Sequence, residues 1–231
     1  MGRIVDLSLD ITDRAPTFWP DPKTAVIPHL GIANLKYNIT QLVMSTHLGT
    51  HLDAPFHFFD DGRTVDEVDP GRWFGPAWVL DFSGKRPKED ITRGDLLAHD
   101  RKLARGARIV VRTGWDRVYP EERYFTDYPG FPPDACALLA ERGIACLALD
   151  TPSVYGADYV AVHHTLLGAG ILIVEGLAHL ERLMSERVFL AALPLRIKGR
   201  DGSPCRVIAV DGMSAAELDA LSGIEGVPEP R

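Results

Sequence analysis

Four residues with metal-binding side chains lie close together in the chain, at His47, His51, Asp53 and His57. Imidazole and carboxylate groups are ligands for borderline divalent metals such as Zn²⁺ and Mn²⁺. One residue of this kind carries little information, but several on one tight turn can bind an ion without help from a distant segment. The alternative is that the histidines are surface or structural residues. Their concentration favours a metal site over that alternative.

The residues between these candidate ligands favour a loop over a helix. Gly49 permits backbone angles that a side chain would forbid. Pro55 restricts its own φ and pushes Ala54 towards extended angles. We therefore expect a strand over residues 39–45 that ends in a shaped loop carrying the histidines.

Further motifs follow this stretch along the chain. The complete set is His47-x-Gly49-Thr50-His51-x-Asp53-x-Pro55-x-His57, residues 112–115 (Arg-Thr-Gly-Trp), residues 150–153 (Asp-Thr-Pro-Ser), His163 with Glu175, and residues 193–197 (Leu-Pro-Leu-Arg-Ile). This set resembles the metal-dependent cyclase family, which includes bacterial kynurenine formamidases and isatin hydrolases. The resemblance spans nearly the whole chain. It implies the α/β class and a swivelling β/β/α-type fold with a central mixed β-barrel and peripheral helices.

A second group of candidate ligands lies further along the chain, at His163, His164 and Glu175. The apolar run over residues 171–174 predicts a strand, and Glu175 ends it. A buried carboxylate needs a cation or hydrogen bonds, although an ordinary salt bridge at a strand end would also satisfy it. In the resembled family a histidine and a glutamate twelve residues apart bind the second ion. The resemblance therefore implies His163, and not His164, as the ligand beside Glu175.

The resemblance implies a site with one or two divalent ions, with Zn²⁺ expected first and Mn²⁺ as the alternative. The implied ligands are His47, His51 and Asp53 for one ion, and Asp53, His163 and Glu175 for a second. His57 then stays free as the catalytic acid and base. Isatin-hydrolase-like members are expected to work with one Mn²⁺, so the number of ions stays open.

These parts fit the hydrolysis of an amide. A metal can lower the pKa of water to about 7 and can polarise a carbonyl. An imidazole with a pKa near ~6.5 can move protons at neutral pH. Ser153 is not a candidate nucleophile, because its neighbours lack the Gly-x-Ser-x-Gly pattern. We expect a turn at residues 150–153.

The resemblance suggests N-formyl-L-kynurenine as the substrate, giving kynurenine and formate in tryptophan catabolism. Isatin, or another cyclic amide or lactone, is the alternative substrate. A non-catalytic metal-binding protein is the alternative of a different class, and it would not need a free His57 beside the ligands.

A proline-rich loop over residues 15–22 carries two aromatic side chains, Phe18 and Trp19. They could pin the loop to the core, or they could line an apolar pocket as substrate-binding residues. The resemblance favours the pocket. It also implies a homodimer or homotetramer, with this loop near the interface because exposed aromatic side chains are costly.

Composition limits the other possibilities. The 231 residues are 45% hydrophobic, which fits one domain over residues 1–231, with a flexible tail at residues 225–231. The net charge of −7 disfavours nucleic acid as a partner. The three cysteines form no CxxC motif, and no apolar run is long enough for a membrane span or signal peptide. We therefore expect a cytoplasmic protein without a membrane partner.

Apolar periodicity and capping signals predict the remaining elements. Strands are predicted over residues 5–12, 77–82, 107–112, 144–149, 171–174, 188–193 and 206–210. Helices are predicted over residues 92–104, 134–143 and 176–183. Residues 119–133 are predicted to form a long loop.

Overall fold

Ten β-strands and five α-helices form within residues 2–222, the part of the chain that this computed structural model describes. The strands are β1 (Arg3–Asp6), β2 (Ala25–Leu30), β3 (Ile39–Val43), β4 (His51–Asp53), β5 (Phe74–Asp81), β6 (Arg108–Arg112), β7 (Cys146–Leu149), β8 (Leu172–Glu175), β9 (Arg187–Pro194) and β10 (Gly202–Asp211). The helices are α1 (Ile32–Leu35), α2 (Arg93–Leu97), α3 (Pro133–Arg142), α4 (Tyr159–Gly168) and α5 (Ala215–Ala220). The tail predicted over residues 225–231 lies outside the described residues.

A closed, mixed β-barrel forms the centre of the molecule. Its strands follow the order β10-β4-β8-β7-β6-β5-β9, and β9 pairs back with β10. The pairs β5–β6, β6–β7 and β7–β8 are parallel, while the other pairs of the ring are antiparallel. β1 adds to β10 outside the ring. The prediction of an α/β structure with a central mixed barrel is confirmed.

The alternation of side chains along the strands produces two cores. Val110 in β6 and Val174 in β8 belong to the cluster inside the barrel. Their neighbours Ile109 and Ile173 point outwards, into a cluster that includes the apolar sides of α3 and α4. The parallel strands are therefore covered on both faces, which explains why they are continuous apolar runs in the sequence.

Six strand predictions are confirmed, with shifts of a few residues at their ends. They correspond to β5, β6, β7, β8, β9 and β10. The helix predicted to end at Gly143 is also confirmed as α3, and Gly143 has the positive φ of 67° that suits a C-terminal cap.

The strand predicted over residues 5–12 is wrong beyond Asp6. The chain leaves the sheet there, although the Leu7 N–H still donates to the carbonyl of Val207 at 2.8 Å. The Leu9 N–H donates to the hydroxyl of Thr50 at 2.8 Å. The hydrogen bond of Leu9 holds this segment against the turn that carries the histidines.

Two helix predictions need correction. Residues 176–183 form only a 3₁₀ turn, Leu180–Arg182, because Gly176 and His179 have positive φ angles of 66° and 60° that a right-handed helix excludes. The helix predicted over residues 92–104 ends early as α2. The predicted capping box of Thr92 and Asp95 is present at its start.

A two-stranded hairpin of β2 and β3 lies outside the barrel and pairs only with itself. β3 matches most of the strand predicted over residues 39–45, whereas β2 and α1 were not predicted. No residue from 25 to 44 is buried.

Within residues 2–222, no helix combines the length and the apolar character needed to cross a membrane.

Asp150 joins the ends of β6 and β7. Its fully buried carboxylate accepts hydrogen bonds from the Thr113 and Gly114 N–H groups, at 2.9 and 2.7 Å, and from the Thr113 hydroxyl at 2.6 Å. Burial raises the pKa of Asp150 to about 7, against the opposing effect of these hydrogen bonds. The motifs at residues 112–115 and 150–153 therefore form one structural unit.

We expect Asp150→Asn to lower the free energy of unfolding by about 1–3 kcal/mol, because the amide group would leave a buried N–H donor unsatisfied. Urea unfolding at pH 8, above the pKa of Asp150, would measure the change with the carboxylate ionised. Asp61→Asn is the matched control, since Asp61 is exposed. Equal unfolding midpoints for the two variants would contradict the role assigned to Asp150.

Candidate metal centre

The short strand β4 carries two of the predicted ligands and positions them by strand geometry. His51 and Asp53 are two residues apart, so they share one face of the strand, while Leu52 points into the barrel. β4 pairs with β8 so that His51 lies opposite Glu175. The expectation that the whole motif lies in a loop is therefore wrong for these residues, because β4 closes the barrel between β10 and β8.

The turn before β4 holds His47 close to the end of β8. Gly49 has a φ of 59°, and a side chain at Gly176 would lie 2.4 Å from the Gly49 carbonyl oxygen. The Thr50 hydroxyl donates to the carbonyl of Gly176 at 2.5 Å. The close approach excludes a side chain at Gly176, and the positive φ favours glycine at position 49. These features hold the turn that carries His47 against the end of β8.

The other predicted residues come from two further elements. His57 ends a 3₁₀ turn, Pro55–His57, that follows β4 directly. His163 lies on α4, a helix that was not predicted, and its Nε2 is 3.3 Å from Glu175 Oε1. The neighbouring His164 is exposed and packs against Phe58 and Phe59.

Asp53 lies at the centre of the cluster and is completely buried. Its Oδ1 is 2.8 Å from His47 Nδ1 and 3.5 Å from His51 Nε2. Its Oδ2 is 3.7 Å from His163 Nε2. Glu175 Oε2 is 3.5 Å from His51 Nε2, which completes a ring of nitrogen and oxygen atoms around one carboxylate.

Hydrogen bonds fix which ring nitrogen of three histidines faces this centre. His51 Nδ1 donates to the carbonyl of Gly49 at 3.0 Å, and His163 Nδ1 donates to that of Tyr159 at 2.6 Å. His47 Nε2 donates to the carboxylate of Asp201 at 2.6 Å. In each ring the other nitrogen is directed inwards, which is the arrangement that metal-binding histidines adopt. Among the described residues, no partner forms a hydrogen bond to the ring of His57.

Asp201 was not found by sequence reasoning. Besides His47, its Oδ2 accepts a hydrogen bond from the Thr46 hydroxyl at 3.0 Å and lies 4.0 Å from His57 Nδ1. In sequence, Asp201 followed by Gly202 has the composition of an ordinary turn. Only the pairing of β10 with β4, in which Gly202 lies opposite Asp53, brings it to the centre.

The donor set fits a divalent ion. Both oxygens of Asp53 and Nδ1 of His47 are buried and have no hydrogen-bond partner within residues 2–222, although Nδ1 and Oδ1 are only 2.8 Å apart. Potential ligand atoms lie within 4.8 Å of one another in two groups, His47 with Asp53 and His57, and His51 with Asp53 and Glu175. Imidazole nitrogens and carboxylate oxygens suit ions such as Zn²⁺ or Mn²⁺.

The pKa values of the side chains in this site reflect their crowding. Burial opposes the charged form of His47, but Asp53 and Asp201 outweigh it and raise the pKa of His47 to about 10. Burial also opposes the ionised form of Asp53, yet His57 and His47 hold its pKa well below the usual range. Burial lowers the pKa of His57, and attraction to Asp53 offsets this only in part. A neutral His57 is therefore available as a base at neutral pH.

A cavity of about 390 Å³ opens above these residues. Phe18, Phe58, Phe125 and Tyr128 contribute aromatic lining, and Trp19 contributes a side chain that is 92% exposed. Phe18 and Trp19 thus line the cavity, and their role in binding a substrate stays a prediction. The cavity is large enough for a small aromatic molecule.

Comparisons with known proteins agree with this architecture. The Cyclase family model matches residues 5–155. The kynurenine formamidase of Bacillus mycoides (strain KBAB4) is 36% identical over 174 residues, which cover 74% of this chain and 79% of that protein. The isatin hydrolase A of Labrenzia aggregata, solved with benzyl benzoate, has a TM-score of 0.82 at 26% identity and covers 91% of this chain and 94% of its own.

A third match is a structure described as a potential metal-dependent hydrolase with cyclase activity. It has a TM-score of 0.79 at 25% identity, and the alignment covers 93% of this chain and 100% of that one. His163, Glu175 and Asp201 lie beyond the residues that the family model matches, but the structural matches extend over nearly all of the chain. The chain therefore belongs to the Cyclase family, and it is a hydrolase of the kind that acts on amide C–N bonds.

Proposed function

We propose that this hydrolase depends on a divalent metal and cleaves N-formyl-L-kynurenine to kynurenine and formate. The observation that carries the proposal is the buried Asp53 carboxylate, which lacks hydrogen-bond partners within residues 2–222 and lies beneath an aromatic-lined cavity. The name of the Bacillus mycoides relative supports the substrate. Metal dependence is supported by the donor set and by the description of the third match as a potential metal-dependent hydrolase.

Four of the five proposed ligands line the cavity, and the fifth, Asp53, is buried beneath them. The five are His47, His51, Asp53, His163 and Glu175, with Asp53 between two groups of ligands. A divalent ion held there supplies positive charge that polarises the substrate carbonyl and makes water a better nucleophile. Zn²⁺ is our first choice and Mn²⁺ the second. The central position of Asp53 allows either one ion or two.

His57 is the proposed acid and base. Its ring stacks on His47 with centroids 3.9 Å apart, and it lines the cavity beside the proposed ligands. Burial favours the neutral form of the His57 ring, which has a free nitrogen that can take a proton from the attacking water. His57 then donates that proton to the leaving nitrogen, which is a poor leaving group unless it is protonated.

Two alternatives to this proposal concern the substrate and the role of His57. The structural match to isatin hydrolase A favours a cyclic amide or lactone as the alternative substrate. The group of His47, Asp53 and His57 also allows His57 to bind the ion itself, in place of moving protons. A protein that binds metal without catalysis would not need the free ring of His57.

We expect metal-loaded protein to release formate from N-formyl-L-kynurenine with a higher kcat/KM than it shows for isatin. Removing the metal with a chelator should abolish turnover, and Zn²⁺ or Mn²⁺ should restore it. The assay would use elementally analysed protein and both substrates side by side. A higher kcat/KM for isatin would favour the alternative substrate, and full activity without metal would contradict the metal centre.

We expect His57→Asn to keep the metal and lower kcat by about 10²–10⁴-fold, the usual contribution of a general acid or base. Metal content by elemental analysis and steady-state kinetics would measure the two effects. His164→Asn is the control, because His164 is the next histidine along α4 from His163 and is exposed. Loss of the metal from His57→Asn would make His57 a ligand. Unchanged activity would remove it from the mechanism.

A second copy of this chain is the proposed partner, in a homodimer or homotetramer. The β2–β3 hairpin and α1 expose large apolar side chains, including Ile32 at 58%, Leu42 at 52% and Tyr37 at 51%. Trp19, at the edge of the cavity, is also exposed. A monomer would leave this apolar surface in water, whereas a second copy would cover it.

We expect light scattering to find a dimer or tetramer at micromolar concentration. Ile32→Lys and Leu42→Lys together should shift it to the monomer, because two charges would have to be buried in the interface. Leu97→Lys and Met184→Lys together are the matched control, since both residues are exposed apolar side chains outside the hairpin. A monomeric wild-type protein would rule out the assembly.

A further inference from the structure

The cavity contains one charged side chain that neither the proposed metal centre nor the proposed proton transfer uses, and this is Asp21. The described residues that line the cavity include no lysine and no arginine. Glu175, the other acidic residue of the lining, faces the histidines of the centre. Asp21 is therefore the charged group best placed to meet the part of a substrate that does not react.

The local sequence holds Asp21 in this position. It lies between Pro20 and Pro22, and both prolines restrict the backbone. Its N–H donates to the carbonyl of Phe18 at 2.8 Å, which closes a turn. The loop therefore presents Phe18, Trp19 and Asp21 to the cavity together.

The carboxylate of Asp21 is half-buried and has no hydrogen bond or ion pair with any residue from 2 to 222. Burial raises the pKa of Asp21, and the charges of His47 and His51 partly oppose this effect. An acidic group that is partly desolvated and unpaired gains most from a cationic partner. Phe18 and Phe125 also line the cavity, and aromatic rings attract cations.

We propose that Asp21 determines specificity by binding an ammonium group on the non-reacting part of the substrate. The site then prefers aromatic amides that carry an amine over neutral or purely anionic ones. This inference rests on the proposed function, and it names the substrate class more closely. N-formyl-L-kynurenine carries such an ammonium group and isatin does not. The carboxylate of an amino-acid substrate finds no lysine or arginine among the described lining residues, so it belongs at the open side of the cavity.

Four formamides that share one aryl ketone core would test the proposal. They are 2-formamidoacetophenone, which is neutral; N-formylkynurenamine, which carries only the ammonium; N-formyl-L-kynurenine, which carries both charges; and the deaminated acid, which carries only the carboxylate. Wild-type protein should show its highest kcat/KM with the two ammonium compounds. The ratio of kcat/KM for N-formylkynurenamine to that for the neutral compound measures the selectivity.

Asp21→Asn should lower this ratio roughly tenfold, mainly through KM for the ammonium compound, because one charge-assisted contact is lost. Asp21→Lys should instead favour the deaminated acid over N-formylkynurenamine. Asp10→Asn is the control for net charge, since Asp10 is an exposed acid of the same N-terminal segment outside the cavity lining. Metal content would be measured for every variant.

The outcomes separate the two proposals. If wild-type protein hydrolyses none of the four formamides, the proposed function fails. If it hydrolyses them but shows no preference for the ammonium compounds, the role of Asp21 is overturned. The same conclusion follows if Asp21→Asn changes all four kcat/KM values equally, because Asp21 would then act through the centre and not on the substrate charge.

Discussion

An ionised carboxylate in a protein interior costs several kcal/mol unless a cation or hydrogen bonds compensate for it. Asp53 imposes this constraint here, because it is completely buried and its oxygens have no hydrogen-bond partner within residues 2–222. The imidazole rings of His47, His51 and His163 surround this carboxylate. In the metal-free protein a proton on His47 provides the positive charge, which is why the pKa of His47 rises to about 10. A divalent ion and this proton therefore compete for the same carboxylate.

The two ends of the cavity are built by different means. The reacting end lies on the barrel, where strand register and carbonyl acceptors orient His51 and His163 within narrow limits. The other end is an irregular loop whose shape depends on prolines around Asp21. Chemistry that needs accurate placement thus uses the rigid part of the fold, while the loop can change with the substrate without disturbing the barrel.

Sequence reasoning predicted six of the seven barrel strands and the candidate ligands His47, His51 and Asp53, because apolar periodicity and the crowding of histidines are local signals. It predicted a loop in place of β4, and it obtained the ligand pair of His163 and Glu175 from the family resemblance. Sequence reasoning missed α4, because exposed apolar residues such as Tyr159 and Val160 and the buried His163 obscure the 3.6-residue alternation of an amphipathic helix. It also missed Asp201, which reaches His47 only through the pairing of β10 with β4. The helix predicted over residues 176–183 failed because tertiary contacts, including that of Gly176 with Gly49, require backbone angles that no helix allows.

The position of β10 has a consequence for the order in which the structure can form. β10 is the last strand of the described chain, and it pairs with β1, β4 and β9. A nascent chain on the ribosome can assemble β5 to β8 early, since these strands follow one another and pair with their neighbours. β1 cannot pair before β10 has been made, and only then does β4 lie between its two partners, β10 and β8. The surroundings of His47 are therefore completed only after Asp201 and β10 have been made, because the Asp201 carboxylate accepts the hydrogen bond of His47.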